Sequence, residues 1–329
     1  MDKITFVLLA AGIMDLVLGD PEYAYHPVRL LGKTIAVYEK AFRWSGLDGL
    51  AGGVMLVIMV SVSTLGSYLA AHVFLERLHP LASLALDVFA VYSCLSLKDL
   101  IVHARKVSLA LASNDLVNAR RTVQEIVGRD ANLLDMCGVA RAAVESIAEN
   151  FVDGYLSCLF WYVAGGLLAC AMDYDPLTCA VIGVLTFKTA STLDSMVGYR
   201  SPVYLYFGRA AARFDDAMNF IPARLSVPFM MLAAGLCGLN MRGCLKIALR
   251  DRRKHASPNA GHAESCAAGA LGIRLGGPTR YPFKLVEKPW LGDGDLDTSF
   301  VHIDRTCALV LRSGLISMGA AVLISMAIR

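Results

Sequence analysis

Hydrophobic residues run in long blocks along this chain, and the polar residues between them are bunched rather than dispersed. Apolar runs cover 4–18, 53–75, 81–102, 155–172, 177–193, 225–241 and 307–328. A helix that spans a bilayer needs about 20 apolar residues, so 53–75, 81–102 and 307–328 meet that length unaided. The other runs are short or interrupted. Polar segments with helical spacing lie between them at 103–128, 130–153, 203–223 and 243–255. A Gly- and Pro-rich stretch, 257–297, reads as ordered loop with one short helix at 264–271. The expected fold class is all-α: a polytopic helical membrane protein, one integral membrane domain over 1–329, with amphipathic helices on the cytoplasmic side.

Charge sets the expected orientation. Lys and Arg concentrate in cytoplasmic loops. Arg29, Lys33, Lys40 and Arg43 follow the first run, and Lys98, Arg105, Lys106, Arg120, Arg121, Arg129 and Arg141 follow the third. The connection DYDP at 173–176 has no cation and reads as outside. Were 225–241 to cross, the cations from Arg242 to Lys254 would lie outside, so this run is expected to be re-entrant, dipping in and returning. The cytoplasm-facing segments are then 19–48, 103–153, 194–224 and 242–305, and the location is the cell (inner, cytoplasmic) membrane, multi-pass, with its active site on the cytoplasmic side. Asp15 and Asp20 beside the first run, with no small-residue cleavage site after it, favour a retained span over a removable signal peptide.

Composition agrees with a bilayer protein. Of 329 residues, 56% are hydrophobic and 18% charged, against about 25% charged in soluble domains. A net charge of +3 gives no reason to expect a nucleic-acid partner. Nine cysteines stand singly with no C-x-x-C pair, and read as small, buried, reduced residues.

Five polar clusters could carry chemistry. In ARAAVESIAENFVDGY (140–155), Arg141, Glu145, Glu149 and Asp153 follow one another at i, i+4, with Asn150 beside them. Like charges at that spacing cost about 0.2–0.5 kcal/mol, so a metal, an Arg cluster or a cationic ligand should offset them; hard carboxylate oxygens suit Mg²⁺. The alternative is a solvated helix face. In FKTASTLDSMVGYR (187–200), Lys188 interrupts an apolar run, Asp194 and Ser195 close it, and a snorkelling Lys188 is the alternative. GRAAARFDDAMNFIPAR (208–224) sets Arg209, Arg213 and Asp216 on one face, a pattern usual for intrahelical ion pairs. RDRRKHASPNAG (250–261) is either a lipid-headgroup patch or a phosphate clamp. GIRLGGPTRY (272–281) carries Arg274 and Arg280 on a Gly-rich loop, without a P-loop pattern. GDPEYAYHPVRLLG (19–32) adds His26 and Arg29.

The strings LGDP with HPVRLLG, VGRD, RAAVESIAEN with VDG, TLDSMVGYRSP, ARFDDAMNFIPARL, RDRRKHASPNAG, GALGIRLGGPTRY and EKPWLGDG, in this order, resemble the cobalamin biosynthesis CobD/CbiB family from about Asp15 to Asp293. Ser191 stands where that family commonly has Asn, and Phe151 where it has a small hydroxyl residue. The resemblance implies adenosylcobinamide-phosphate synthase: ATP-dependent amide formation between a corrinoid carboxyl, that of adenosylcobyric acid, and (R)-1-aminopropan-2-yl phosphate or ethanolamine phosphate. ATP and Mg²⁺ are the expected cofactors. The expected partners are the corrinoid, the amino-alcohol phosphate, the lipid bilayer, and either a second copy or other late corrinoid-pathway membrane enzymes. On that reading Glu145, Glu149, Asp153 and Asp216 hold the metal, and Lys188, Asp194 and His255 are catalytic, His255 or Asp194 taking the ammonium proton. Phosphates and substrate fall to Arg129, Asn150, Ser195, Arg213, Arg250, Arg253, Asn259, Arg274 and Lys288, and the corrinoid's peripheral amides to His26 and Arg29. Trp290 packs on a corrin edge or in the core. The competing classes are a transporter, whose ionisable residues belong at the bilayer midplane, and a membrane signalling protein related to β-lactamase regulators.

Overall fold

The computed structural model describes residues 2–21, 23, 25–128, 130–199, 201–281 and 284–328, without the side chains of 279–281 and 284–286. The chain forms α1 (Lys3–Leu18), α2 (Pro27–Trp44), α3 (Leu50–Leu78), α4 (Pro80–Tyr92), α5 (Leu97–Ala112), α6 (Leu116–Gln124), α7 (Met136–Phe151), α8 (Ser157–Met172), α9 (Pro176–Val197), α10 (Arg209–Met218), α11 (Phe220–Leu236), α12 (Met241–Asp251), α13 (Ala260–Leu271) and α14 (Phe300–Ser325). A π-helical turn, Val152–Leu156, joins α7 to α8. Two short antiparallel strand pairs follow α13: β1 (Leu275–Gly276) with β4 (Trp290–Leu291), and β2 (Thr279–Tyr281) with β3 (Lys284–Val286). The fold is all-α, and among the described residues five helical stretches are long and apolar enough to cross a membrane: Leu50–Leu78, Pro80–Ala112, Met136–Met172, Pro176–Val197 and Phe300–Ser325.

Local sequence fixes where helices begin. His26-Pro27, His79-Pro80 and Asp175-Pro176 each combine a side-chain cap with Pro in the first turn, where a missing N–H costs nothing. Asp2, Asp115, Asp135 and Asn240 cap α1, α6, α7 and α12 in the same way.

The chain divides into two compact units, 1–96 with 157–219 and 318–329, and 97–156 with 220–317. In the first, α2, α3, α9 and α10 enclose a core of Leu31, Ile35, Leu56, Val60, Leu193 and Phe207. In the second, α13 is buried along its whole length and packs against α7, α11 and α12. Its sequence, AGHAESCAAGAL, explains this: small residues on every side let neighbouring backbones approach. Gly243 of α12 and Gly269 of α13 face each other so closely that a Cβ on either would run into the other's carbonyl.

Several expectations change. The run 4–18 becomes a helix of only 16 residues, below spanning length. The run 81–102 is broken between α4 and α5 at 93–96. The charged stripe is not a separate element before a span but continues into it through the π turn. The run 225–241 divides between α11, which ends at Leu236, and a turn into α12, and α11 reaches spanning length only if joined with α10 across Asn219. The short helix after Ser257 starts at Ala260, earlier than expected, and part of the loop beyond it is paired as strands. Cys244 and Cys266 form a disulfide with Cα atoms 4.4 Å apart, against the reading of all cysteines as reduced. The α12–α13 approach that the glycines permit also brings these two side chains together.

Candidate functional site

In the second unit, charged side chains from α7, the α12–α13 turn and the two loops around β1 and β4 meet. The buried face of α7 is Ala- and Val-rich, which leaves Arg141, Glu145, Glu149 and Asp153 half-buried on the other. Glu145 Oε1 accepts the Gly276 N–H at 2.7 Å, fixing the Gly-rich loop to the helix. Gly277 has φ +75° and lies under the Trp290 ring, where a Cβ would collide, so the second Gly is required twice over. The Arg141 guanidinium also lies over the Trp290 ring, 5.2 Å from its centre. The expected corrin contact of Trp290 thus competes with a packing role already filled.

Asp251 anchors the second loop. Its carboxylate is fully buried and accepts hydrogen bonds from Arg250 Nε (2.8 Å), Arg250 Nη2 (2.7 Å) and the Gly292 N–H (2.9 Å), with Lys254 Nζ at 2.7 Å. The Arg250 bonds hold the Asp251 carboxyl well below the usual carboxylate range. Arg250 also meets Asp293, so this expected phosphate ligand already has two carboxylate partners. Arg253 and its neighbour Arg252 have no carboxylate partner among the described residues.

His255 is positioned by the same turn. Its Nδ1 accepts the Ser257 N–H at 3.0 Å, and its Nε2 lies 3.8 Å from Glu264 Oε1 on α13. Burial, with the nearby Lys288 cation, holds His255 below the ordinary imidazole value, so it is neutral at neutral pH. With the Nδ1 lone pair occupied, the neutral ring carries its proton on Nε2. His255 is therefore arranged as a hydrogen-bond donor, and the expected general-base role does not fit its geometry. Glu264, only 4% exposed, is the carboxylate that faces it.

Arg274 presents the opposite case to Arg250. Its backbone N–H pairs with Asp295, but its buried Nε has no hydrogen-bond partner among the described residues. Asn259 Oδ1 lies 3.5 Å from Arg224 Nη1. Asn150 bonds within its own helix, to Ser146 O at 2.9 Å. Arg129 and the Arg280 side chain lie outside the described residues. Among the described residues no three His, Cys, Asp or Glu side chains are gathered into a metal cage. Glu145 serves the loop backbone, while Glu149 lies on the last turn of α7 and Asp153 in the π turn that follows. Two carboxylates are what Mg²⁺ ordinarily takes from a protein when phosphates and water complete its shell, and π turns recur at functional sites.

In the first unit the expected residues take internal partners. Lys188 Nζ donates to Cys94 O at 3.1 Å, satisfying a carbonyl exposed by the α4–α5 break. His26 caps α2 through Nδ1, with Asp20 2.9 Å from Nε2, and burial holds its pKa below the ordinary value. Arg29 is half to fully exposed on the first turn of α2, and Ser195 is exposed on α9. Asp194 lies near Asp216, which pairs with Arg213 at 3.7 Å. Asn219, 1% exposed, accepts the Ser157 hydroxyl at 2.6 Å and donates to Asp215 at 3.0 Å.

Sequence reading passed over Asp251, Glu264, His262, Arg224 and Arg252. Asp251 could have been found as the lone acid within RDRRK. Glu264 and His262 carry no such sign, since their significance lies in the full burial of α13.

Residues 8–310 match the CobD/Cbib protein family model. "Cobalamin biosynthesis protein CobD" of Geobacter metallireducens is 42% identical over 87% of this chain and 86% of its own. "Cobalamin biosynthesis protein CbiB" of Salmonella typhimurium is 39% identical over 91% of each. "Cobalamin biosynthesis protein CobD" of Pelobacter propionicus is 40% identical over 87% and 84%. No solved structure matches the chain. These matches leave the transporter and signalling readings without support, and, together with five apolar helices of spanning length, they show that this chain belongs to the CobD/CbiB family of membrane proteins.

Proposed function

We propose that the protein acts in cobalamin biosynthesis as an ATP-dependent amide ligase, joining the free carboxyl of adenosylcobyric acid to the amine of an amino-alcohol phosphate, and that it does so at the cytoplasmic face of the cell membrane. Family membership supports the pathway. The observation that carries the chemistry is the buried Nε of Arg274, without a hydrogen-bond partner among the described residues, two positions before the Gly276 N–H that Glu145 ties to α7.

A carboxylate is a poor acyl donor. Transfer of the ATP γ-phosphoryl group to a carboxyl oxygen gives an acyl phosphate and ADP; attack by the neutral amine then forms the C–N bond and releases inorganic phosphate, with one proton lost from nitrogen. Glu149 and Asp153 would hold Mg²⁺, which supplies charge neutralisation at the phosphate oxygens. Arg274 and Lys288 supply fixed positive charge toward the acyl phosphate. His255 donates through Nε2, and the Glu264 carboxylate opposite it is the proton acceptor suited to the departing ammonium proton. Glu145 and Asp251 hold the two loops in register for these groups.

The test is amide formation by the purified protein in lipid nanodiscs, with ATP, Mg²⁺, adenosylcobyric acid and ethanolamine phosphate. Wild type should release ADP and phosphate in step with amide. Glu149→Gln, which keeps the shape and removes the charge, should lower turnover by at least about 100-fold. Full activity of that variant removes the metal role, and absence of any amide from wild type removes the ligase reading.

A further inference from the structure

The cations of the α12–α13 turn divide into two groups. Arg250 and Lys254 share Asp251, and Arg250 also takes Asp293. Arg252 and Arg253 take neither, and they act electrostatically, together with Arg224 of α11, on one buried side chain, His262. His262 is 6% exposed, and its ring nitrogens have no hydrogen-bond partner among the described residues. Burial first, then these three guanidinium groups, press its pKa down to about 4, so it enters neutral. Arg224 and Arg252 are half-buried and Arg253 is exposed, and none of the three has a carboxylate partner among the described residues, so the positive charge near this neutral imidazole is open to an anion from solution. The amino end of α13 adds its positive pole there: Gly261 packs against the Arg252 carbonyl and His255, and no side chain of the N-cap residue Asn259 caps the helix.

We propose that Arg224, Arg252, Arg253 and His262, at the amino end of α13, form a subsite for a phosphomonoester dianion. A phosphomonoester carries about −1.5 to −2 charge and three acceptor oxygens, which the guanidinium groups and one imidazole N–H match in charge and donor number. Arg224 is held in readiness by Asn259 Oδ1 and by stacking on Phe220, 3.4 Å from its ring centre. The assignment deepens the ligase reading and rests on it: the phosphate of the amine substrate is seated here, one helical turn from Glu264, while Arg274 serves the acyl phosphate.

The experiment has two readouts on the same nanodisc preparations. Binding of inorganic phosphate and of ethanolamine phosphate is measured in phosphatidylcholine discs for wild type, Arg252→Ala, Arg253→Ala and His262→Gln. Arg242→Ala, which removes an exposed charge at the other end of α12, is the control. Each Arg variant should bind about 10- to 100-fold more weakly, and the control should match wild type. In the amide assay, Arg252→Ala and Arg253→Ala should raise KM for ethanolamine phosphate by the same factor with little change in kcat, and should leave KM for ethanolamine unchanged. Unaltered phosphate affinity and KM in both Arg variants, with wild-type amide formation intact, overturn the subsite and spare the ligase. Lost phosphate binding in the variants, with no amide from wild type, overturns the ligase and keeps the anion site. If phosphatidylglycerol discs abolish phosphate binding to wild type and to the control alike, a lipid headgroup is the occupant and the substrate subsite is overturned.

Discussion

Two sets of polar residues, one in each unit, differ in how they are paired. In the first, Lys188, which interrupts an apolar run, and His26 and Asn219 each find a partner inside the protein: the Cys94 carbonyl, the α2 amino end and Asp20, the Ser157 hydroxyl and Asp215. In the second, the buried Arg274 Nε has no hydrogen-bond partner among the described residues, and half-buried Arg252 and exposed Arg253 have no carboxylate partner there. An unpartnered buried polar group is costly. Unpartnered buried polar atoms occur in both units, the Thr5 and Ser61 hydroxyls in the first and the Thr298 hydroxyl and Arg274 Nε in the second, so what singles out Arg274 is its fixed positive charge. A buried charge without a protein partner is a better indicator of chemistry than polarity within an apolar run.

The strongest way to break this contrast is Arg274→Met. If the guanidinium waits for a substrate, the change should lower kcat/KM for amide formation by about 100-fold, the value of a lost charged hydrogen bond. Thermal stability should hold or rise, because the buried Nε has no hydrogen-bond partner to lose among the described residues. A fall in Tm with normal turnover per folded molecule would class Arg274 with Lys188.

Asp251→Asn tests the paired side of the second unit. Asp251 is fully buried under half-exposed partners, and losing its charge should cost about 2–3 kcal/mol, at the level of hydrogen bonds to charged groups. Because its folded pKa is depressed, this stability is present above the unfolded value of about 3.9 and is lost as pH falls toward the folded value. Wild-type unfolding free energy should therefore drop between about pH 5 and pH 3 by more than that of Asp251→Asn, which lacks this titration. Parallel pH curves would show that the Asp251 cluster is not formed in solution.

How much of this was legible beforehand follows from range. The apolar blocks state the class directly, and the caps at Asp2, Asp135 and Asp175 are local. The stripe on α7 was visible at i, i+4 because helical spacing is a short-range rule. The α4–α5 break was not, since SCLS carries neither Gly nor Pro; its stability depends on Lys188, far along the chain. The burial of α13 was missed for a related reason: AGHAESCAAGAL has no apolar stripe, and its small residues matter only when Gly243 and the α7 backbone come near. His255 looked like a base because a free imidazole titrates near neutrality; the Ser257 N–H on Nδ1, a feature of turn geometry, changes which proton it holds.

A smaller effect is expected at Lys188. Lys188→Met keeps the aliphatic length and removes the donor to Cys94 O, leaving that carbonyl with the weak Cys158 S–H at 3.3 Å. Chemical unfolding should show a loss of about 1–2 kcal/mol. Normal stability combined with lost amide formation would return Lys188 to the reacting centre and erase the difference between the units.

The smallest effect belongs to Arg213, which sequence places with the phosphate ligands. Its side chain is 73% exposed and its ion pair with Asp216, three residues on, is 3.7 Å long. Such pairs contribute about 0–1 kcal/mol in water, because two mobile side chains must be held for a screened attraction. Arg213→Ala should therefore leave Tm and the KM for ethanolamine phosphate where they are, although it removes the same formal charge as Arg253→Ala. Equal charge with unequal outcome separates a specific subsite at α13 from a general need for positive charge on the protein. If Arg213→Ala instead raised KM as far as Arg253→Ala, diffuse electrostatics would explain phosphate affinity, and open valences in the second unit would lose their meaning.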